Sequence, residues 1–189
     1  LAILHRKFKN VRSVKEATAD LERMAKTRTL CGEDFDILSG DDDKTFEMMT
    51  RSDIRASGVV SVMSNIVPGP IGEMVKAIRD GNMDRANRMK DILDPLFKVV
   101  TVNTVESYEG FDVPCKFRNP VAIKTMMIGL GLPSGPCRSP LGKMTLKGME
   151  VVRNALREVY EKDEKVLRPL QEFYKIKIEE RLSNDRYWK

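Results

Sequence analysis

Over the first eighty residues, short apolar runs alternate with stretches whose apolar residues recur every three or four positions. The first pattern predicts strands and the second predicts helices. Val11-Arg12-Ser13-Val14-Lys15 reads as a strand, and Ala19 to about Leu30 as a helix with Leu21, Met24 and Ala25 on one face. Thr18 stands where an N-cap belongs, and Asp20 and Glu22 suit the positive end of the helix dipole. The run from Phe35 to Gly40 is the next strand, and a helix carrying Phe46, Met48 and Met49 follows it. The run from Gly58 to Met63 is a third strand, nearly all apolar, as for burial on both faces. Pro68-Gly69-Pro70 punctuates the chain before a helix from Ile71 to Arg79 that ends at Gly81. Three strand-then-helix units in a row predict parallel strands with crossover helices. Three strands do not close a barrel, and they leave sheet edges exposed.

After Gly81 the strand pattern stops. Asn82 to about Val99 reads as a helix with Ala86, Met89, Ile92, Leu93, Leu96 and Phe97 on its apolar side. Residues 100–118, with Gly110 and Pro114, read as irregular. Asn119 is placed to cap a short helix from Pro120 to Ile128, and residues 131–142, rich in Gly and Pro, read as a loop. Thr145 to about Leu167 reads as a long charged helix. Pro169 interrupts it, and a second helical stretch runs to about Leu182.

Composition narrows the function classes. The 189 residues are 41% apolar and 32% charged, ordinary for a globular chain with a real core. No apolar run approaches the length needed to cross a bilayer. The first residues lack an apolar h-region, so no signal peptide is expected. The chain lacks an initiator Met and starts mid-pattern, so a fragment or processed chain is expected. Cys31, Cys115 and Cys137 are odd in number and show no CxxC spacing, which points to a reducing, cytoplasmic setting without a disulfide scaffold or zinc site. His5 is the only histidine and sits in a basic terminal stretch, so histidine chemistry is not expected. A net charge of +5 and a pI near 9.1 allow nucleic-acid contact. No basic run is interleaved with aromatics, however, and a solvated basic surface is the expectation.

Three strand ends are candidates for chemistry. Lys15 ends the first strand, and in α/β barrels active sites lie at the carboxyl ends of the strands. A lysine desolvated there can attack a ketone, although strand-end lysines more commonly reach solvent. Glu16 points the other way by alternation. Ser39-Gly40-Asp41-Asp42-Asp43 ends the second strand. Gly40 lets backbone approach a ligand, and the acids suit either a hard cation or, more simply, the amino end of the following helix. Gly58-Val59-Val60-Ser61-Val62-Met63-Ser64-Asn65 by itself signals core.

In combination these motifs are specific. Lys-Glu-Ala-Thr at 15–18, Ser-Gly-Asp-Asp at 39–42 and Gly-Val-Val-Ser-Val-x-Ser-Asn at 58–65 resemble the dihydrodipicolinate synthase family, at the spacing of its sixth, seventh and eighth barrel strands. Lys9-Asn10-Val11 supports the match. So does Asn119-Pro120-Val121-Ala122-Ile123-Lys124, similar to the family's Asn-Pro-Ile-Pro-Val-Lys, and so does Arg138-Ser139-Pro140-Leu141. The resemblance covers roughly residues 1–160.

The resemblance implies the C-terminal part of a (β/α)8 TIM barrel in residues 1–81, followed by a helical domain. That domain spans 82–162, with an insertion near 101–118, and residues 163–189 extend beyond the family's usual end. It implies a class I lyase condensing pyruvate with aspartate semialdehyde toward diaminopimelate and lysine. Lys15 would form the imine, Gly40 would line the pocket through its backbone, and Val60 would contact pyruvate through its main chain where the family usually has isoleucine. No metal or organic cofactor is implied, and a homotetramer is. N-acetylneuraminate lyase and the 2-keto-3-deoxy-sugar aldolases share the lysine strand, and a truncated non-catalytic relative acting as an interaction module is the other alternative. The family's first five strands, with its threonine pair, relay tyrosines and substrate arginine, have no counterpart in this sequence. Ala19 stands where the family often has glycine, and the 163–189 tail is expected to pack on a neighbouring subunit.

Overall fold

Strand and helix alternate from the first residues. In the computed structural model, which describes residues 1–188, α1 (Ala2–Lys7) leads to β1 (Ser13–Glu16), α2 (Leu21–Cys31) and β2 (Asp36–Ser39). Then come α3 (Thr45–Thr50), the short β3 (Gly58–Val59) and α4 (Pro68–Arg79). The three strands form one parallel sheet in the order β1-β2-β3, with Lys15 beside Leu38 and Leu38 beside Gly58. The expected α/β alternation with parallel strands is therefore present.

The backbone divides into two compact units, one of Leu1–Val62 with Ile71–Lys90, the other of Met63–Pro70 with the chain from Asp91 onward. In the first unit, Met24 of α2, Ile37 of β2, Met48 of α3, Phe35 and Ile54 are fully buried together, with Val14 of β1 packed against them. Alternation turns Ile37 and Val14 toward this core. It leaves Ser13, Lys15 and Asp36 exposed and Leu38 half-buried on the other face. The expectation of a third strand buried on both faces fails here. β3 is two residues long, Val60 is 44% exposed, and Met63–Asn65 turns into a 3-10 helix. An apolar run records hydrophobicity, not which faces find partners.

Local chemistry sets the helix ends. Asp20, not Thr18, caps α2 by accepting from the Arg23 amide at 3.0 Å. At the other end of α2, the buried Arg28 guanidinium donates to the carbonyls of Gly32, Glu33, Phe35, Ile54 and Arg55. A cation there suits the helix dipole, and the five carbonyls it joins all lie beyond the helix end. Pro68 begins α4 instead of preceding it, as proline's fixed φ allows in a first turn.

The helix α5 (Met83–Phe97) buries Ala86, Met89, Ile92, Leu93, Leu96 and Phe97, as their spacing predicts. Residues 100–118 are not irregular. They form an antiparallel hairpin of β4 (Val102–Tyr108) and β5 (Phe111–Phe117), closed by Glu109 and Gly110, both at positive φ. Two central residues at positive φ match the twist of a two-residue hairpin turn. Pro114 pairs opposite Val105.

Four helices complete the second unit's core. α6 (Val121–Leu130) follows a cis Asn119–Pro120 bond, with Pro120 rather than Asn119 at the cap position. α7 (Leu146–Lys162) is capped by Thr145 and ends at Asp163, before the break expected at Pro169, which instead opens α8 (Arg168–Tyr174). α9 (Ile178–Ser183) packs on α6 and α7, and the turn at Asp185–Tyr187 packs on α6. Arg153 and Arg157 of α7 both donate to the Leu182 carbonyl at the end of α9. Trp188, 5% exposed, lies against Gly129 and donates its indole N–H to the Arg181 carbonyl. No helix among the described residues is long and apolar enough to cross a membrane.

Candidate active site

Lys15, Gly40 and Val60 all lie at the carboxyl edge of the parallel sheet. The Gly40 amide donates to the Glu16 carbonyl at 2.7 Å, and the Val60 amide donates to the Ser39 carbonyl at 2.8 Å. Each bond continues the strand ladder one step past its last regular residue. The edge is thus rigid where the candidate residues leave it.

Gly40 and Lys15 meet directly. A Cβ at Gly40 would lie 2.8 Å from Lys15 Cε, 2.7 Å from Ala17 Cβ and 3.0 Å from the Glu16 carbonyl oxygen. Only a residue without a side chain leaves that passage. The role expected of Gly40 was to offer backbone to a ligand. Its first effect is to let the lysine stem cross the neighbouring strand end. Lys15 itself is exposed, while Glu16 is 7% exposed and faces the helices, with Arg23 at 4.0 Å. The alternation expected for this pair holds, but the desolvation expected for Lys15 is not supplied by the described residues.

The acids after Gly40 turn to neighbouring strand ends. Asp41 Oδ2 accepts from the Ala19 amide in the loop after β1, at 2.9 Å. Asp42 Oδ2 accepts from the Val62 amide in the loop after β3, at 3.0 Å. Beneath them, Thr45 Oγ1 donates to Ser39 Oγ at 2.9 Å, and Ser39 Oγ donates to the Asp41 carbonyl at 3.0 Å. Ser39 and Thr45 are fully buried, so the network is dry and mutually satisfied. Neither carboxylate caps its own helix. The motif was legible, but its use as a bridge between loops was not, because the partners are backbone amides that any residue could supply.

Clefts occur elsewhere. One of about 710 Å³, lined by His5, Lys9, Arg12, Asp34 and Asp36 among others, lies at the opposite, amino-terminal ends of β1 and β2. It contains none of the candidate residues.

A parallel β/α layer with a strand-end lysine passing over a glycine places the chain in the α/β class. Comparison with known proteins specifies the family. The dihydrodipicolinate synthetase family matches residues 3–159, and the chain belongs to that family. The 4-hydroxy-tetrahydrodipicolinate synthase of Thermoanaerobacter sp. (strain X514) is 34% identical over 147 residues, 78% of this chain and 44% of that protein. The structure of the 4-hydroxy-tetrahydrodipicolinate synthase from Methylacidiphilum fumariolicum SolV superposes with a TM-score of 0.72 at 30% identity. It covers 89% of this chain and 50% of that one. A monomeric dihydrodipicolinate synthase variant matches with a TM-score of 0.69 at 29% identity, over 84% of this chain and 48% of its own. The chain thus spans about half the length of the relatives it matches.

Proposed function

We propose that residues 1–81 are the last three strand-helix units of a (β/α)8 barrel and carry the imine-forming part of a pyruvate-dependent lyase. The best-supported type is 4-hydroxy-tetrahydrodipicolinate synthase. The observation that carries this reading is the Lys15 stem crossing Gly40 at the carboxyl edge of the sheet, within the stretch that matches the family.

The chemistry follows from the amine. Lys15 Nζ, unprotonated, adds to the ketone carbon of pyruvate, and loss of water leaves an iminium ion. The cationic nitrogen draws electrons from the adjacent methyl, which loses a proton and becomes an enamine. The enamine carbon then bonds to the aldehyde carbon of the second substrate, aspartate semialdehyde in this reading, and the aldehyde's π pair moves to its oxygen, which takes up a proton. Val60 would meet pyruvate through its main chain, and Gly40 would give it backbone after clearing the lysine. The walls that desolvate Lys15 would come from the strands that the relatives have and this sequence does not contain. The residues from 82 to 162 would form the helical domain, with the 102–117 hairpin as an insertion and 163–189 as an extension. The protein would work in the cytoplasm as a homo-oligomer, a tetramer by family likeness, and without a cofactor.

The test supplies the full polypeptide with pyruvate and a choice of aldehyde. Pyruvate consumption that requires aspartate semialdehyde is expected. Consumption that requires a sugar aldehyde instead would assign the chain to the related lyases and aldolases. No consumption with either would favour a non-catalytic relative.

A further inference from the structure

The acid after Gly40 has a task that the imine chemistry does not use. Ala19 sits at φ 55°, a left-handed conformation that a non-glycine residue keeps only where its surroundings hold it. What holds it is the Asp41 carboxylate, which accepts the Ala19 amide at 2.9 Å. Asp41 is itself anchored. Its carbonyl accepts from the buried Ser39 hydroxyl at 3.0 Å, and that hydroxyl accepts in turn from Thr45 Oγ1 at 2.9 Å. The sheet therefore fixes the Asp41 backbone, and its side chain reaches across to the loop after β1. That loop includes Ala17, whose Cβ stands 2.7 Å from the position a Gly40 Cβ would take, beside the Lys15 stem.

We propose that Asp41 is a positioning residue, which by holding the Ala17–Ala19 loop against Gly40 fixes the line along which Lys15 presents its amine. The proposal rests on the imine-forming reading of Lys15. It acts through a hydrogen bond, not through charge on the amine, and this makes it separable.

The experiment measures borohydride trapping of pyruvate on the full polypeptide, in the parent protein, Asp41→Asn and Asp41→Ala. Thermal unfolding confirms that each is folded, and amide exchange is followed at Ala19. Asp41→Asn keeps an oxygen that accepts the Ala19 N–H, and its trapping rate at saturating pyruvate should stay within about threefold of the parent. Asp41→Ala should trap at least about tenfold more slowly, since small misplacements of a reacting group are costly. Its Ala19 amide should exchange faster. If Asp41→Ala does not fold, Asp41→Ser, too short to reach Ala19, takes its place with the same expectation. Equal rates in parent and Asp41→Ala would overturn the proposal while leaving Lys15 in its role. An Asp41→Asn as slow as Asp41→Ala would also overturn it, in favour of a charge effect. A folded parent that forms no adduct would overturn both readings together.

Discussion

Gly40 and Gly129 solve the same steric problem in two regions, with opposite results. At Gly40 the missing Cβ lets the Lys15 stem pass, and the amine emerges exposed at a sheet edge. At Gly129 it admits the Trp188 ring, whose atoms would lie 2.6 Å from a Cβ, and the indole ends up 5% exposed with its N–H bonded to Arg181. The polar groups around the two glycines differ in the same sense. Around Trp188, Arg153 and Arg157 both close on the Leu182 carbonyl. Near Lys15, the Asp41 and Asp42 carboxylates are engaged by backbone amides while the lysine is left exposed. That leaves the lysine open to a ligand and to the walls that would desolvate it. The same ingredients closed on themselves give only stability.

Substitution at each glycine separates the two roles. Gly40→Ala forces Ala17, the Glu16 carbonyl and the Lys15 stem apart. We expect adduct formation to fall by roughly a hundredfold from misplacement alone, together with a lower melting temperature. Gly129→Ala should cost about 1–3 kcal/mol by overpacking against the indole, read by denaturant unfolding. Its adduct formation per folded molecule should equal the parent's. If the two variants lost adduct formation equally, the contrast between the regions would be wrong.

Smaller changes sharpen the picture. Ala19 pays a left-handed penalty of ~1–2 kcal/mol, partly offset because glycine is more disordered when unfolded. Ala19→Gly should therefore stabilise by about 0.5–1 kcal/mol, seen as a raised midpoint of unfolding. The smallest effect lies in the hairpin. Hydrogen bonds from Thr104 and then Thr145 hold the Glu106 carboxyl below its ordinary value of 4.5, with the Lys147 charge adding to them. A depressed folded pKa stabilises above the unfolded value and is lost as pH falls through the folded one. The parent's advantage over Glu106→Gln in melting temperature should be full at neutral pH and close progressively below pH 4.5.

Much of the first unit was legible in the sequence. β1 and β2 were bounded to within a few residues, because apolar runs between polar turns mark parallel strands well. The apolar face of α5 was legible to the residue, since Ala86 through Phe97 keep helical spacing without a break. What escaped notice depended on geometry that composition does not carry. The hairpin was hidden because Pro114 and a half-polar alternation masked a Glu109-Gly110 turn that closes two seven-residue strands. Arg28 reads as an ordinary surface charge, and only folding brings five carbonyls around it. In the candidate site, Lys15 and Gly40 were legible through their motifs. The family's frequent glycine at the Ala19 position carried a signal of positive φ that a capping argument overlooked.

The central claim is that Lys15 forms an imine with pyruvate. The most direct measurement incubates the folded full polypeptide with pyruvate and borohydride, then maps the modified peptide by mass. The account predicts one reduced pyruvate adduct on Lys15, absent in Lys15→Ala. No adduct, or an adduct on another lysine that persists in Lys15→Ala, would contradict it.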